Sequence, residues 1–234
     1  MRVIRMQHPG KNALGSDLMG WLEEELSRAG SDPILLMGTG DAFSAGLDLR
    51  EVAALDASGM ERFLRRMDAL AVRFHDHPAP AVACVNGHAI AGGCVLALCC
   101  DWRIARRDPK TRIGVNEVAL GACFPPAILR IVAARLSPHV RERVMLGAGL
   151  FDVDKALELG LVDEIADDAE ASATRRLEAL AAHPRGTYAL TKSSLRAGIT
   201  TLTPADERRF REQEVPIWTG GEVKARMKAV LERK

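Results

Sequence analysis

One carboxylate stands alone among apolar residues in the segment Ile113-Gly-Val-Asn-Glu-Val-Ala-Leu-Gly121. A glutamate in such company is usually a solvated loop residue or a structural acceptor. Partial burial would instead lift the Glu117 pKa toward neutrality, where a general base working at neutral pH needs it. A second segment, Val85-Asn-Gly-His-Ala-Ile-Ala-Gly-Gly-Cys-Val-Leu-Ala-Leu-Cys-Cys-Asp101, reads as a buried strand followed by a Gly-Gly pair that opens an apolar helix. A helix start carries N–H groups without internal partners and a partial positive charge, so Gly92 could aim its N–H at a developing oxyanion. Gly92 and Gly93 could equally serve close helix packing. Position 95 lies three residues on and shares the face of Gly92, and it is valine. The third segment, Gly38-Thr-Gly-Asp-Ala-Phe-Ser-Ala-Gly-Leu-Asp-Leu49, has glycines at 38, 40 and 46 that allow tight turns and close approach of a ligand to main-chain N–H groups. An ordinary strand-to-helix loop would look the same.

The elements that must hold these segments follow from hydrophobic patterning. Apolar runs at Ile34 to Met37, Ala81 to Val85 and, more weakly, Trp102 to Ala105 alternate with segments of helical period, which predicts an α/β core. Leu14, Leu18, Trp21, Leu22 and Leu26 make one stripe of a helix over Leu14 to Ala29, with Gly30 as its C-cap. A second helix is expected over Val52 to His75, burying Phe63, Leu64, Met67, Leu70 and Phe74. Beyond Pro126 the chain is mostly amphipathic helix, with Leu161 to Ala166 a short strand-like exception. The final helix, Glu222 to Glu232, is charged on most sides, which suits packing on another surface.

Composition narrows the function classes. The chain has 234 residues, 47% of them hydrophobic, enough for one domain or a domain with a small appendage. Thirty-two basic against thirty-one acidic residues leave a net charge of +1, and no clustered basic face points to nucleic acid. No segment reaches the roughly 18 apolar residues of a membrane span, and the N terminus lacks a signal-peptide pattern. Five cysteines, three of them (Cys94, Cys99, Cys100) inside an apolar run, read as reduced core residues in a cytoplasmic setting, with no metal site. The last three residues, Glu232, Arg233 and Lys234, are not a peroxisomal Ser-Lys-Leu address. Of the six histidines only His88 lies near the glycine segments.

Taken in order, Lys11-Asn-Ala-Leu14, Phe43-Ser-Ala-Gly-Leu-Asp-Leu49, Val85-Asn-Gly87, Ala91-Gly-Gly-Cys94, Cys100-Asp101 and Ala156 through Gly160-Leu-Val162 resemble the enoyl-CoA hydratase/isomerase, or crotonase, superfamily. The resemblance runs over nearly the whole chain. The N terminus looks shorter than the family's, which normally begins with an additional strand. The resemblance implies a spiral of strand-strand-helix turns over 1–180 and a helical C-terminal region over 181–234 that serves trimerisation and covers the site. It also implies an acyl-CoA thioester substrate and a homotrimer or a pair of trimers.

In that family the thioester oxygen sits between two main-chain N–H groups, and the matching positions are Leu47 and Gly92. Ala45, Gly46, Asp48 and Leu49 match the loop that lines the CoA path, although Asp48 could be a helix cap. Members that hydrate a double bond use two glutamates. The first position here is Val95, and only the second, Glu117, remains. The chain therefore looks most like the Δ3,Δ2-enoyl-CoA isomerase branch, where one glutamate works alone, where Asn116 matches a substrate-contacting position and where Phe124-Pro-Pro126 replaces a glycine-rich turn. No cofactor beyond the CoA of the substrate is implied. Rival expectations are another crotonase reaction (hydratase, thioester hydrolase or carbon–carbon lyase) and a non-catalytic acyl-CoA binding subunit.

Overall fold

A computed structural model describes residues 1–232; Arg233 and Lys234, which the C-terminal reading included, lie outside the described residues. The strands are β1 (Arg2–Arg5), β2 (Ile34–Met37), β3 (Ala42–Ser44), β4 (Ala81–Val85), β5 (His88–Ile90), β6 (Trp102–Arg106), β7 (Ile113–Gly114) and β8 (Glu164–Ala166). They form two all-parallel sheets, β1-β2-β4-β6-β8 and β3-β5-β7. The expected spiral is legible in this order. Each turn contributes its first strand to the large sheet (β2, β4, β6) and its second to the small one (β3, β5, β7), then leaves through a helix. Successive turns thus lie parallel and in register, Leu35 opposite Val82 and Val82 opposite Trp102.

Strands buried on both faces explain the unbroken apolar runs. Along β2, Ile34 and Leu36 enter the main core while Leu35 and Met37 face a second cluster. That alternation has the period of two that a pleated strand imposes. The outer cluster is closed by Ala169, Ala173 and Leu177 of one amphipathic helix.

The helices are α1 (Pro9–Asn12, a single distorted turn), α2 (Ser16–Ala29), α3 (Leu49–Ala54), α4 (Ala57–His75), α5 (Gly92–Cys99), α6 (Pro126–Arg135), α7 (Pro138–Gly147), α8 (Val153–Glu158), α9 (Ala169–Ala181), α10 (Arg185–Arg196), α11 (Pro204–Arg209), α12 (Val215–Thr219) and α13 (Gly221–Glu232). A π-helical turn at Phe210–Glu214 joins α11 to α12.

Several boundaries differ from the sequence expectation. The helix predicted over Val52 to His75 is two, because Leu55 is extended and Asp56 caps α4 by accepting from the Gly59 N–H at 2.7 Å. Helix α2 starts at Ser16, two residues late, because Leu14 is drawn into a parallel bridge with Leu47. Gly30 does terminate it, at φ 56°, with its N–H on the Leu26 carbonyl. A strand is present at the N terminus, where the family comparison left one wanting: β1 pairs with β2, and Arg2 and Arg5 reach outward to Glu25 and Glu170. The final helix packs on its own chain, burying Val223 and Met227 in the main core.

Helix α10 is held through a carboxylate. Asp101, at the start of β6, accepts from the Ala81 N–H, the Tyr188 hydroxyl, the Lys192 ammonium and the Arg196 guanidinium, all at 2.7–2.9 Å. The three donors on α10 are spaced four apart and share one face. Removing Asp101 would leave two cations buried without their counter-charge, a change that costs about 3–5 kcal/mol when one partner of a buried pair is lost. We expect Asp101→Ala to lower unfolding stability by about that amount, with hydrogen exchange in 185–196 accelerating more than in β2 and β4; unchanged protection of α10 refutes the anchoring role.

Candidate active site

The three glycine-rich segments converge, and the small sheet makes them do so. Its strands β3, β5 and β7 each lead directly into one of them. On β7, Ile113 and Gly114 pair with Ala89 and Ile90, and the Ala91 N–H donates to the Gly114 carbonyl at 2.8 Å. The segment that ends in Glu117 is thereby tied to the start of α5.

The loop after β3 is tied to that helix start by contact of bare backbone. A Cβ on Gly93 would lie 2.4 Å from the Ser44 carbonyl oxygen, and one on Gly46 would lie 2.6 Å from the Ile90 carbonyl oxygen. Neither position tolerates a side chain, so the two glycines let loop 44–47 lie flat against 90–93. Both readings of the Gly-Gly pair hold together here, since close packing is what brings Gly92 to the loop.

The orientation of the Leu47 N–H follows from its bridge to Leu14. In a parallel bridge the bonds use the neighbours of the paired residue: Leu14 N–H donates to Gly46 O at 2.7 Å and Asp48 N–H to Leu14 O at 3.1 Å. The N–H of Leu47 itself therefore points away from Leu14. Gly92 is the first residue of α5, whose N–H has no partner within the helix. The Leu47 side chain comes within 3.6 Å of where a Gly92 Cβ would be, and Leu14 and Met67 wall the same spot. Ala91, which precedes Gly92, sits at φ 48° and ψ −121°, a strained backbone for alanine that sets the entry into the helix.

Glu117 is 6% exposed. Its carbonyl is pinned by the N–H groups of Leu120 and Ala122, at 3.0 and 2.9 Å, in the 3-10 turn Val118–Leu120. Its Oε2 is buried with no hydrogen-bond partner. Burial pushes its pKa up to about 8, and burial, with a contribution from this carboxylate, raises the thiol of Cys94 on α5. A second buried acid, Glu214, differs in keeping a partner, the Arg209 Nε at 3.0 Å. Val95 is 1% exposed, one turn along α5 from Gly92. Such a site can remove and return a proton in a dry, apolar enclosure and stabilise an oxyanion at a helix start.

Other predicted positions take plainer places. Asp48 is the cap of α3, accepting from Arg50 and Glu51 N–H. Ala45 and Leu49 are half-buried at either end of the same loop, and Asn116 is half-buried beside Glu117. His88 accepts the Arg112 N–H on Nδ1 at 3.0 Å, a bond that seats the chain entering β7.

Asn12 was missed as a positioning group. At φ 56°, it spans from the His8 N–H to the Ala42 and Phe43 carbonyls, while its own carbonyl takes the Ser44 hydroxyl. Asn86 does the same for the preceding loop, accepting from Gly38 and donating to Gly40 and Ala42. The far side is covered by α13, where Arg226 donates to the Ala119 carbonyl and Lys224 to the Leu55 carbonyl.

A family model described as enoyl-CoA hydratase/isomerase matches residues 1–229. The chain belongs to the enoyl-CoA hydratase/isomerase family. Among its relatives, human mitochondrial enoyl-CoA delta isomerase 1 is 29% identical over 220 residues, covering 89% of this chain and 72% of that protein. A putative enoyl-CoA hydratase of Thermus thermophilus is 33% identical over 178 residues, covering 72% and 69%. Among solved structures, human mitochondrial delta3-delta2-enoyl-CoA isomerase superposes with a TM-score of 0.92 at 25% identity, over 99% of this chain and 92% of that one. Both reaction names thus occur within the family at similar identity. Among the described residues no helix is long and apolar enough to cross a membrane, and no group of three metal-ligating side chains occurs.

The burial of Glu117 has a measurable price in stability. The folded chain holds a proton on this group up to about pH 8, which the unfolded chain releases near the ordinary value of 4.5. Rising pH across that window therefore destabilises the native protein, on the order of 5 kcal/mol at about 1.4 kcal/mol per pKa unit. Glu117→Gln lacks this liability. Urea unfolding from pH 5 to 9 should show the variant gaining on the parent up to about pH 8 and running parallel above it; a pH-independent difference would mean that the carboxylate is solvated.

Proposed function

We propose that the chain isomerises 3-enoyl-CoA to 2-enoyl-CoA thioesters, with Glu117 as its single acid and base. The observation that carries this reading is a buried carboxylate, one oxygen of which has no hydrogen-bond partner, beside a helix start whose next turn presents Val95. A valine neither orients water nor accepts its proton, so addition of water across the double bond lacks its second group.

Glu117 takes a proton from C2 of the substrate, and the electron pair delocalises into the thioester carbonyl and the C3–C4 double bond. The Leu47 and Gly92 N–H groups receive the oxygen of this dienolate, each such donor being worth about 2.7–4 kcal/mol in the transition state. The acid then returns the proton at C4, which leaves the double bond at C2–C3. Val95 packs against the acyl chain and Asn116 contacts the substrate beside the base. Ala45, Gly46, Asp48 and Leu49 line the CoA path, the side chain of Asp48 serving there as a cap. Proton return to the same molecule consumes nothing, so the reaction calls for no cofactor other than the CoA of its substrate. Five cysteine thiols without a disulfide, four of them buried, support a reducing, cytoplasmic setting.

Separate incubation with 3-enoyl-CoA and 2-enoyl-CoA tests the reaction: double-bond migration without 3-hydroxyacyl product supports it, whereas hydration or free CoA release replaces it with hydratase or hydrolase chemistry. Glu117→Gln should lower kcat by about 10²–10⁴-fold, the range for general acid–base groups, with binding of the CoA ester retained. Because the base must be ionised to act, kcat/KM should rise with pH and level off near pH 8, where the free enzyme's carboxyl titrates. A flat profile from pH 6 to 9 would remove Glu117 from the role.

We further propose that the chain assembles as a homotrimer or a pair of trimers. Leu146 on α7, Leu150 in the loop after it and Leu157 on α8, 69%, 40% and 40% exposed, offer apolar surface suited to burial between copies. Sedimentation equilibrium should return three or six times the chain mass; a monomer at micromolar concentration refutes the assembly.

A further inference from the structure

Ser44 is the last residue of β3 and is fully buried. It follows the apolar pair Ala42 and Phe43, so its hydroxyl lies where a polar group must find partners inside the chain. It finds two: the Oγ donates to the Asn12 carbonyl at 2.7 Å and accepts the Gly46 N–H at 3.2 Å. No step of the proposed reaction uses this hydroxyl.

Both partners belong to the backbone that leads to Leu47. Asn12, at φ 56°, ends a left-handed turn that includes Gly10 and Lys11 at φ 66° and 60°. Such a turn is costly for lysine and asparagine and persists only where its surroundings hold it. Its carbonyls are taken up by the loop after β3, Lys11 O by the Ala45 N–H at 3.0 Å and Asn12 O by the Ser44 hydroxyl. Beyond it, the Gly46 carbonyl accepts the Leu14 N–H. A peptide unit is planar and trans, so the Leu47 N–H points opposite to that carbonyl. The remaining freedom of the 46–47 peptide is rotation about the backbone of Gly46, whose N–H is held by Ser44 Oγ. The main chain of Ser44 also meets the helix that carries the second donor: a Cβ on Gly93 would lie 2.4 Å from the Ser44 carbonyl oxygen and 2.8 Å from the Ser44 Cβ.

We propose that Ser44 is a positioning residue for the two N–H donors: its hydroxyl, bridging the Asn12 carbonyl and the Gly46 N–H, directs the Leu47 N–H at the same oxygen that the Gly92 N–H receives. This rests on the reading of Leu47 and Gly92 as the oxyanion donors. Removing the hydroxyl frees the Gly46 N–H and lets the 46–47 peptide turn, while Glu117, on the other side of α5, keeps its place.

Butanoyl-CoA labelled with carbon-13 at the thioester carbonyl has no double bond to move, so its bound carbonyl reports the donors without turnover. Its isotope-edited infrared band should fall to lower frequency on binding to the full chain, because hydrogen bonds to the oxygen weaken the C=O bond. Ser44→Ala should keep less than about half of that shift and lower kcat on 3-enoyl-CoA about tenfold, with KM within about twofold and the pH profile unmoved. Ser44→Cys, whose thiol is a weaker donor and acceptor at the same place, should fall between the two. The proposal is overturned if Ser44→Ala gives the parent's infrared shift, whatever happens to its melting temperature, since the hydroxyl would then serve the fold alone. It is overturned equally if the cysteine variant matches the parent in shift and kcat. A parent chain that binds the ester without any shift removes Leu47 and Gly92 as donors and the role of Ser44 with them. A parent that gives the shift but moves no double bond overturns the isomerase reading alone, and the infrared comparison still decides the part of Ser44.

Discussion

A carboxyl oxygen enclosed without a hydrogen-bond partner is costly, and it persists only where its surroundings cannot relax around it. Glu117 is held in that state by backbone. Its carbonyl takes two N–H groups, the strand before it pairs with β5, and the next strand over, β3, presses loop 44–47 against the start of α5. None of these restraints uses a side chain that competes for the carboxylate. The site therefore keeps a carboxyl group that no cation pairs, near the start of α5, and its placement depends on the small sheet more than on any one residue in it.

The surrounding polar side chains serve geometry. Asn12, Asn86 and Asp48 each satisfy main-chain groups that a turn or a helix start leaves open, and each fixes a loop that leads to a catalytic candidate. Asp68 extends the pattern to a second helix: from α4 it accepts the Ala127 and Ile128 N–H groups at 3.1 and 2.8 Å, capping α6 from outside. Burial lifts its pKa to about 6 in spite of those bonds. Met67, one residue earlier, packs on Gly92. One helix thus fixes both the wall beside Gly92 and the helix that follows Phe124-Pro-Pro126.

What the sequence disclosed of this arrangement depended on how local the cause was. Ile34–Met37 and Ala81–Val85 were legible as strands because burial on both faces leaves an unbroken apolar run. Arg2–Arg5 was not, since an edge strand with outward arginines buries only Ile4 and carries no such run. The strands of the small sheet are two or three residues long and lie inside glycine-rich stretches, so no periodicity marks them. Glu117 and Gly92 could be picked out by type and neighbours. Asn12 could not, because its work is done at a positive φ toward residues some thirty positions away. Asp48 was legible as a cap, a local motif, while the break at Leu55 fell within a stripe whose helical period runs on through it.

Position 95 bears on chemistry through what it excludes. A proton taken from C2 and returned at C4 travels on one carboxyl only if bulk water does not exchange with it between the two events. Exchange would not stop the proposed reaction, but a water molecule held beside C3 invites addition to the 2-enoyl product. With Val95 at 1% exposure on one side and α13 fastened across Ala119 and Leu55 on the other, the enclosure around Glu117 is aliphatic where a hydrating site would be polar. The raised pKa fits the same requirement. A carboxylate whose acid titrates near 8 is a stronger base toward a weakly acidic carbon than one near 4.5, so burial favours the abstraction half of the proposed transfer.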